Sequence, residues 1–464
     1  MRFKKKGFVF LFISIYPWYL FGQKVYTIET FLSDVSKNHP VAKQADFRIN
    51  QSISNVLASK GAFDPVFMQE NSQKTLDGKN YYDYRNSELK MKTQYGLSVK
   101  TGIENSGGNF LNPEFTSGGL SYAGLELPVL KGLLFDQQRA TLRQAEIFKL
   151  ETEQEKRQML NDLFLDASMA YWSWTGAYQS FSVFSQNLLN AKRRLNLLKQ
   201  AFKNGDRAVV DTLEAYTQVQ NIELMLNDAN MELQTTELEI SKYLWSDQGI
   251  AYLMPLSNIP DIIQFTQFMR SEDLNSLIES AKANHPELNQ YSFKLQSLQV
   301  DKKLKAQSLL PELNLKLNLL AKDFYRFGYG TAPYFNNNYK FGIDMKFPLL
   351  LREGRGNYQK TIFKIGETNS FVNNKAWEIE NKIRQYSAQL SLYETQIKIF
   401  LSLVNNYQQL LKNEELRFNQ GESSLFLINS RELKLLEGLI KLQQLRVKYL
   451  QTFYKQQWGA GLLN

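Results

Sequence analysis

The chain has 464 residues, a formal net charge of +9, two histidines and no cysteine. Disulfide scaffolds, thiol enzymes and zinc sites built from cysteine are therefore excluded. With 43% hydrophobic and 22% charged residues, the composition is that of an ordinary folded protein, and wholesale disorder is not expected. The length allows up to about three ordinary domains or one long domain.

The first 22 residues have the layout of a signal peptide. Arg2 and three lysines precede the apolar run from Gly7 to Ile15, and the segment ends at Gly22, where we expect cleavage. A membrane anchor is the alternative, but Pro17 interrupts the run, and a spanning helix needs roughly 20 apolar residues. Removal of the four cations lowers the net charge from +9 to +5, so the charge gives no reason to expect nucleic-acid binding.

Two segments without proline, 129–254 and 349–464, permit two very long helical tracts. Both tracts are rich in Leu, Gln, Glu, Lys and Ala, which are strong helix formers. Each is interrupted once by a glycine, Gly205 in the first and Gly421 in the second. Because glycine suits the left-handed end of a helix, each tract is predicted to form a helical hairpin.

The chain contains an internal repeat. Both histidines lie in Asn-His-Pro, at 38–40 and 284–286, an offset of 246. We expect the asparagine to cap the next helix and the proline to fill its first turn. Further landmarks recur in the same order, namely Pro65 and Pro311, Pro128 and Pro348, Phe202 and Phe418, and Trp245 and Trp458. The predicted division is a signal peptide at 1–22, a first repeat at 23–245, a connector at 246–271 and a second repeat at 272–464.

The proline-bounded segments 65–128 and 311–348 have the period of β-strands. Apolar residues alternate with polar ones from Leu89 to Ile103, from Leu313 to Leu319 and from Tyr339 to Phe347. We predict four strands per chain, two in each segment. Nearby aromatic clusters fit the girdle of a membrane barrel, namely Tyr81, Tyr82 and Tyr84, and Phe324, Tyr325, Phe327 and Tyr329. Alternation alone does not exclude an ordinary soluble hairpin with one solvated face.

The predicted helix lengths favour the membrane interpretation. Residues 137–202 as one helix would measure roughly 100 Å, so this helix must pack beside similar helices along its length. Four strands cannot close a barrel, because spanning barrels begin at about eight strands and lipid does not tolerate an open sheet edge. Several chains must therefore share one barrel.

At this point the sequence resembles the TolC-like outer membrane efflux proteins. The resemblance covers essentially the whole mature chain, namely the duplicated halves, the strand pair inside each half, and the motifs from Leu127 to Leu134 and from Arg139 to Ala145. It is specific in architecture and moderate in motif. It implies a mainly α fold with a membrane β-barrel, in which three chains share twelve strands and continue as a long α-helical barrel across the periplasm. It also implies an outer membrane location in a Gram-negative bacterium, a periplasmic adaptor and an inner-membrane transporter as partners, and substrate export. The first strand segment is 26 residues longer than the second, so an additional hairpin or a longer outer loop is expected there.

No constellation for catalysis or metal binding is found. Both histidines belong to the repeated motif, and no phosphate-binding or dinucleotide-binding glycine motif is present. We therefore predict a passive channel that is not an enzyme and needs no cofactor. The alternative is a periplasmic coiled-coil scaffold or adhesin with small soluble hairpins. A cytoplasmic coiled coil does not fit the signal peptide.

The resemblance implies that the adaptor docks at the two hairpin tips, at Phe202, Gly205, Phe418 and Gly421. Simple capping by the glycines is the alternative, and both roles are compatible. Trp172 and Trp174, by contrast, are predicted to pack between helices, because aromatic rings bury a large area.

The resemblance further leads us to expect acidic gate residues six and nine positions after Gly421. Those positions are Leu427 and Ser430, followed by Arg431, whereas Asp211 and Glu214 stand at the same distances after Gly205. We predict that the first repeat supplies the acidic ring, which gives six carboxylates in a trimer. A solvated helix face is the alternative.

Overall fold

The computed structural model describes residues 24–269, 273–322 and 337–463. The predicted signal peptide and the aromatic cluster from Phe324 to Tyr329 lie outside the described residues. The chain divides into two compact units, and each draws on both halves of the sequence. The first comprises the residues up to Asn38, Ala167–Met269 and Tyr393–Gln451, and the second comprises His39–Asp166, Arg270–Leu392 and Thr452–Asn464.

The helices occur twice in the same order, two short helices followed by a long helix and a returning helix. The first set is α1 (Ile28–Asn38), α2 (Pro40–Lys60), α3 (Gln137–Lys203) and α4 (Val209–Ser241). After a short α5 (Ile262–Thr266), the second set is α6 (Leu274–Asn284), α7 (Pro286–Gln307), α8 (Arg352–Asn419) and α9 (Leu425–Gly459). Among the described helices, none carries an apolar stretch long enough to cross a membrane.

Eight strands form two sheets in the described residues. Strands β1 (Lys24–Tyr26) and β6 (Asn258–Pro260) pair in parallel. The larger sheet is antiparallel and has the order β2-β3-β4-β5-β7-β8. Its strands are β2 (Val66–Leu76), β3 (Lys79–Lys92), β4 (Ser98–Gly107), β5 (Gly118–Pro128), β7 (Glu312–Lys322) and β8 (Tyr339–Lys346).

The predicted mainly helical fold with a sheet is confirmed, but the predicted number of strands is wrong. Four strands per chain were expected, and the larger sheet has six. The reason is the longer first segment, which folds into two hairpins instead of one. The first hairpin turns at Asp77 and Gly78, both with positive φ (51° and 71°), as a two-residue Asp-Gly turn requires. The 26 extra residues are therefore explained by the expected additional hairpin.

The core of the first unit is aromatic. Trp172 and Trp174 are 0% and 1% exposed, which confirms their predicted packing role. The Tyr171 ring lies 5.0 Å from that of Trp172 and 5.8 Å from that of Phe31. Its hydroxyl donates to the backbone oxygen of Tyr26 at 2.8 Å, so this core anchors the short β1 strand.

Both Asn-His-Pro motifs begin helices, as predicted, but the histidine is the cap. His39 Nδ1 accepts the Val41 amide at 3.3 Å, and His285 Nδ1 accepts the Glu287 amide at 3.2 Å. The two asparagines are instead the last residues of α1 and α6. The assignment of the cap to asparagine was wrong because the preceding helix continues one residue further than the motif suggested.

His285 is buried, at 4% exposure. Burial, opposed by Glu287 and reinforced by Lys375, lowers the pKa of its imidazole to about 4. Gly461 packs directly on the motif, because a Cβ built there would lie 2.6 Å from Cδ of Pro286 and 3.1 Å from Cδ2 of His285. The neutral imidazole is thus both a helix cap and a part of the packed interior.

This burial predicts a pH dependence of stability. An unfolded histidine titrates near pH 6.5, so between that pH and about 4 the unfolded chain binds more protons than the folded one. The stability that the folded chain gains from keeping His285 neutral is fully present above pH 6.5. It is lost as the pH falls towards 4, by up to about 3 kcal/mol. His285→Asn, which retains a good cap, is expected to flatten this part of the profile in urea unfolding at pH 7 and 4.5. His39→Asn is the control for loss of a histidine cap, and an unchanged profile in His285→Asn would contradict the assignment.

Candidate functional site

The two hairpin tips have the same backbone structure. Gly205 has a φ of 82° and Gly421 a φ of 81°, the left-handed conformation that ends a helix. In the first tip the Gly205 amide donates to Phe202 O at 3.0 Å, and the Asp206 amide donates to Ala201 O at 2.9 Å. The second tip repeats both bonds, from Gly421 to Phe418 O at 3.0 Å and from Glu422 to Arg417 O at 2.9 Å. Both glycines therefore cap their helices in a Schellman motif.

The space around both glycines is open. A Cβ built on Gly205 or on Gly421 would have nothing within 4 Å. Glycine is thus favoured at these positions by the positive φ and not by crowding within the chain. Docking of a partner at this open surface stays a prediction.

The two tip phenylalanines differ in their surroundings. Phe202 is 43% exposed, whereas Phe418 is 9% exposed and belongs to the core formed with Leu425 and Ile428. The guanidinium carbon of Arg207 lies 4.2 Å from the centre of the Phe418 ring, and Arg207 Nη2 donates to Phe418 O at 3.3 Å. Arg207 therefore ties the turn of the first tip to the end of α8.

A charged network lies among the four long helices behind the tips. Arg194 on α3 donates to both carboxylate oxygens of Glu432 on α9, at 3.0 and 3.3 Å. It also donates to Glu415 on α8 at 3.2 Å, while Gln218 on α4 donates to Glu432 at 3.1 Å. The Glu432 side chain is only 2% exposed, so Arg194 and Gln218 replace the water that its carboxylate loses on burial.

Sequence reasoning missed both Arg207 and this network. The signal for Glu432 was its place in an apolar stripe, since it follows Leu425 and Ile428 and precedes Leu436 at helical spacing. For Arg207 the signal was a difference between the two repeats. Arg207 stands two positions after Gly205, whereas Ser423 stands two positions after Gly421.

The structure places the predicted gate residues within the first two turns of the two returning helices, α4 and α9. Glu214 accepts a hydrogen bond from Asn429 Nδ2 of α9 at 3.5 Å, and Asp211 lies one turn earlier, in the first turn of α4. Their half-buried positions are compatible with either of the predicted roles. The convergence of these carboxylates in a ring stays a prediction.

In the second repeat the gate positions are different. Leu427 and Ser430 are exposed, and Arg431 Nε lies 3.8 Å from the largely buried Glu414 carboxylate. Ser423 Oγ also donates to Glu414, at 2.5 Å. The described residues of the chain contain no group of three or more His, Asp or Glu side chains suited to holding a metal ion.

Comparison with known proteins identifies the fold. Residues 121–244 match the family described as Outer membrane efflux protein, and no curated protein matches the chain. The solved outer-membrane channel OprN is similar with a TM-score of 0.65 and 14% identity, over 94% of this chain and 89% of that chain. The outer membrane protein VceC of Vibrio cholerae has a TM-score of 0.63 and 12% identity, over 94% and 96%. The MtrE outer membrane channel of Neisseria gonorrhoeae has a TM-score of 0.63 and 10% identity, over 94% and 89%.

The fold is thus the one seen in these solved structures, in which long helices and a β-sheet are combined in one chain. The resemblance to the TolC-like outer membrane efflux proteins is confirmed, with the family domain at residues 121–244. This is a family of channels and not of enzymes.

Proposed function

We propose that this protein is a passive outer membrane channel that exports substrates delivered by an inner-membrane transporter and a periplasmic adaptor. The observation that carries the proposal is the apolar face of the larger sheet. On β8, Tyr339, Phe341, Ile343 and Met345 share one face and are between 56% and 69% exposed. They stand opposite leucines of β7 at positions 319, 317, 315 and 313. A large exposed apolar patch of this kind marks a surface for lipid or a partner.

The other face of the same strands is polar. Lys340 stands opposite Asn318, and Asp344 stands opposite Asn314. A sheet that alternates between an apolar and a polar face, with strands of 8 to 14 residues, fits a barrel with lipid outside and water inside. We place this barrel in the outer membrane and the helical body in the periplasm.

The trimer and the docking of the adaptor at the tips follow from the family resemblance. Closure of the sheet requires more than one chain, because an open edge is not tolerated in lipid. The open surface around Gly205 and Gly421 supports contact with another protein at the tips. The two returning helices also present exposed apolar side chains close to the tips, among them Val210, Leu213 and Phe426.

Fractionation and mass measurement test this proposal. We expect the mature protein to stay in the outer membrane fraction after carbonate and high-salt washes and to have three times the mature mass in detergent-corrected light scattering. Release by carbonate would favour the periplasmic scaffold or adhesin. A monomer that still inserts in membranes would contradict the shared barrel.

The proposed acidic ring predicts a divalent-cation effect. Converging carboxylates repel one another and attract cations, and charged rings control selectivity in other channels. In planar bilayers, Asp211→Asn combined with Glu214→Gln is expected to weaken block by divalent cations and to lower cation selectivity. Asp228→Asn combined with Glu232→Gln, on exposed positions further along α4, is the matched control. Unchanged block and selectivity in the first variant would show that Asp211 and Glu214 form a solvated helix face.

A further inference from the structure

The six-stranded sheet has two outer strands that are paired on one side only within the described residues. Strand β2 pairs with β3, and strand β8 pairs with β7. Almost every residue of both strands is exposed. The free edges carry backbone amides and carbonyls, which in lipid must find partners.

We propose that β2 of one chain pairs with β8 of a second copy, so that three chains close a barrel of eighteen strands. This inference rests on the proposed trimeric channel and changes its dimensions, because the family resemblance implied twelve strands.

The strand directions allow this closure. All neighbouring pairs in the larger sheet are antiparallel, so the first strand, β2, and the sixth, β8, run in opposite directions. Pairing of β8 with β2 of the next copy is then antiparallel as well. The resulting barrel has an even number of antiparallel strands, as single-chain bacterial outer membrane barrels do.

The additional hairpin is an integral part of the sheet. Strand β3 pairs with β4 over ten consecutive positions, from Asp83 with Gly107 to Lys92 with Ser98. Since this pairing occupies the edge of β4, β4 is not free to meet β8 of a second copy.

The apolar face reaches the β2 edge of the sheet only at the lower ends of β2 and β3, at Phe67 and Leu89. One register row crosses all six strands on this face, and its members are Phe67, Leu89, Thr101, Ala123, Leu319 and Tyr339. Towards the turn of the hairpin the same face is polar on both strands, with Gln69, Asn71 and Gln73 on β2 opposite Ser87, Arg85 and Asp83 on β3. We therefore place the lower ends of β2 and β3 at the lipid and the upper part of their hairpin outside it.

The polar faces of the two edge strands each carry charges of both signs. Strand β2 has Glu70 and Lys74 on this face, and β8 has Lys340, Asp344 and Lys346. Unlike charges on facing strands contribute to pairing, whereas like charges directly opposite weaken it.

The number of strands sets the width of the pore. Because barrel diameter grows roughly linearly with strand number, eighteen strands give a pore about half again as wide as twelve, within the range that leaves an aqueous channel.

The absence of cysteine from the chain permits a clean cross-linking test in the full-length protein in membranes. We combine Phe341→Cys on β8 with a single cysteine on the same face of β2, in turn Phe67→Cys, Gln69→Cys, Asn71→Cys and Gln73→Cys. Under oxidation, at least one pair is expected to give covalent dimers and trimers on a denaturing gel, because disulfides need Cα atoms within about 7 Å. Phe341→Cys combined with Ile103→Cys on β4 is the matched control and is expected to stay monomeric.

The outcomes separate the inference from the proposed function. Cross-linking through β4 and not through β2 would overturn the eighteen-strand barrel in favour of twelve strands. A trimer by light scattering without any β2 to β8 cross-link would also overturn it, while the trimeric channel would stand. A monomer by light scattering would overturn the proposed channel itself.

Discussion

Replacing both Gly205 and Gly421 with valine is expected to abolish export while membrane insertion and the trimer persist. Both glycines have φ near 80°, a conformation that costs an ordinary L-residue roughly 1–2 kcal/mol and a β-branched residue more. The side chains would project into open space, where we propose that the adaptor makes its closest approach. Export in a strain lacking the native chain, together with light scattering, measures both properties.

The matched control for this experiment is asparagine at the same two positions. Asparagine tolerates positive φ better than valine, so it separates the backbone effect from the effect of side-chain bulk. If both pairs of variants block export while the trimer persists, bulk at the tips is the cause. If the valine variant fails to fold, capping is the main role of the glycines. Full export by the folded valine variant would contradict docking at these tips.

Replacing Arg194 with methionine is expected to destabilise the helical tips strongly. The substitution removes the bidentate partner of Glu432, whose side chain is 2% exposed. Breaking a buried ion pair from one side costs about 3–5 kcal/mol, because it leaves a buried charge without compensation. We expect a lower urea midpoint for the loss of helical circular dichroism, with Gln218 alone unable to replace the guanidinium.

Two variants make this result interpretable. Arg194→Met combined with Glu432→Leu removes both charges and is expected to recover most of the lost stability, because an apolar replacement of a buried pair is often nearly neutral. Lys434→Met removes an exposed ion pair with Glu437, in which both side chains are more than half exposed, and is expected to leave the urea midpoint almost unchanged. Equal effects of Arg194→Met and Lys434→Met would contradict a structural role for the network.

The long helices were predictable because their signals are local. Proline is excluded from helix interiors, so the two segments without proline delimited α3 with α4 and α8 with α9. The glycine turns at 205 and 421 were equally visible, since positive φ strongly favours glycine. The resemblance to a known family agreed with this local evidence.

The strand count was missed although a local signal existed. Leu76-Asp77-Gly78-Lys79 contains the Asp-Gly pair of a two-residue hairpin. On either side of this turn, however, apolar and polar residues alternate too weakly within β2 and the start of β3 to show two strands. Glu70, Asn71 and Ser72 are consecutive polar residues within β2. Such a strand is held by its pairing with β3 more than by its own hydrophobic pattern.

The charged network and the Arg207 contact depend on tertiary packing. Arg194 and Glu432 are 238 residues apart, and Arg207 and Phe418 are 211 apart. No spacing in the sequence relates residues on different hairpins. The helical repeat indicated which faces are buried, but not which polar residues meet within them.

Planar-bilayer recording of the purified mature trimer tests the proposed channel function most directly. We expect discrete conductance steps without any nucleotide or other energy source, because the proposed pathway is a passive pore. Complete absence of conductance from a correctly folded and inserted trimer, including the variant Asp211→Asn with Glu214→Gln that weakens the proposed gate, would contradict the channel.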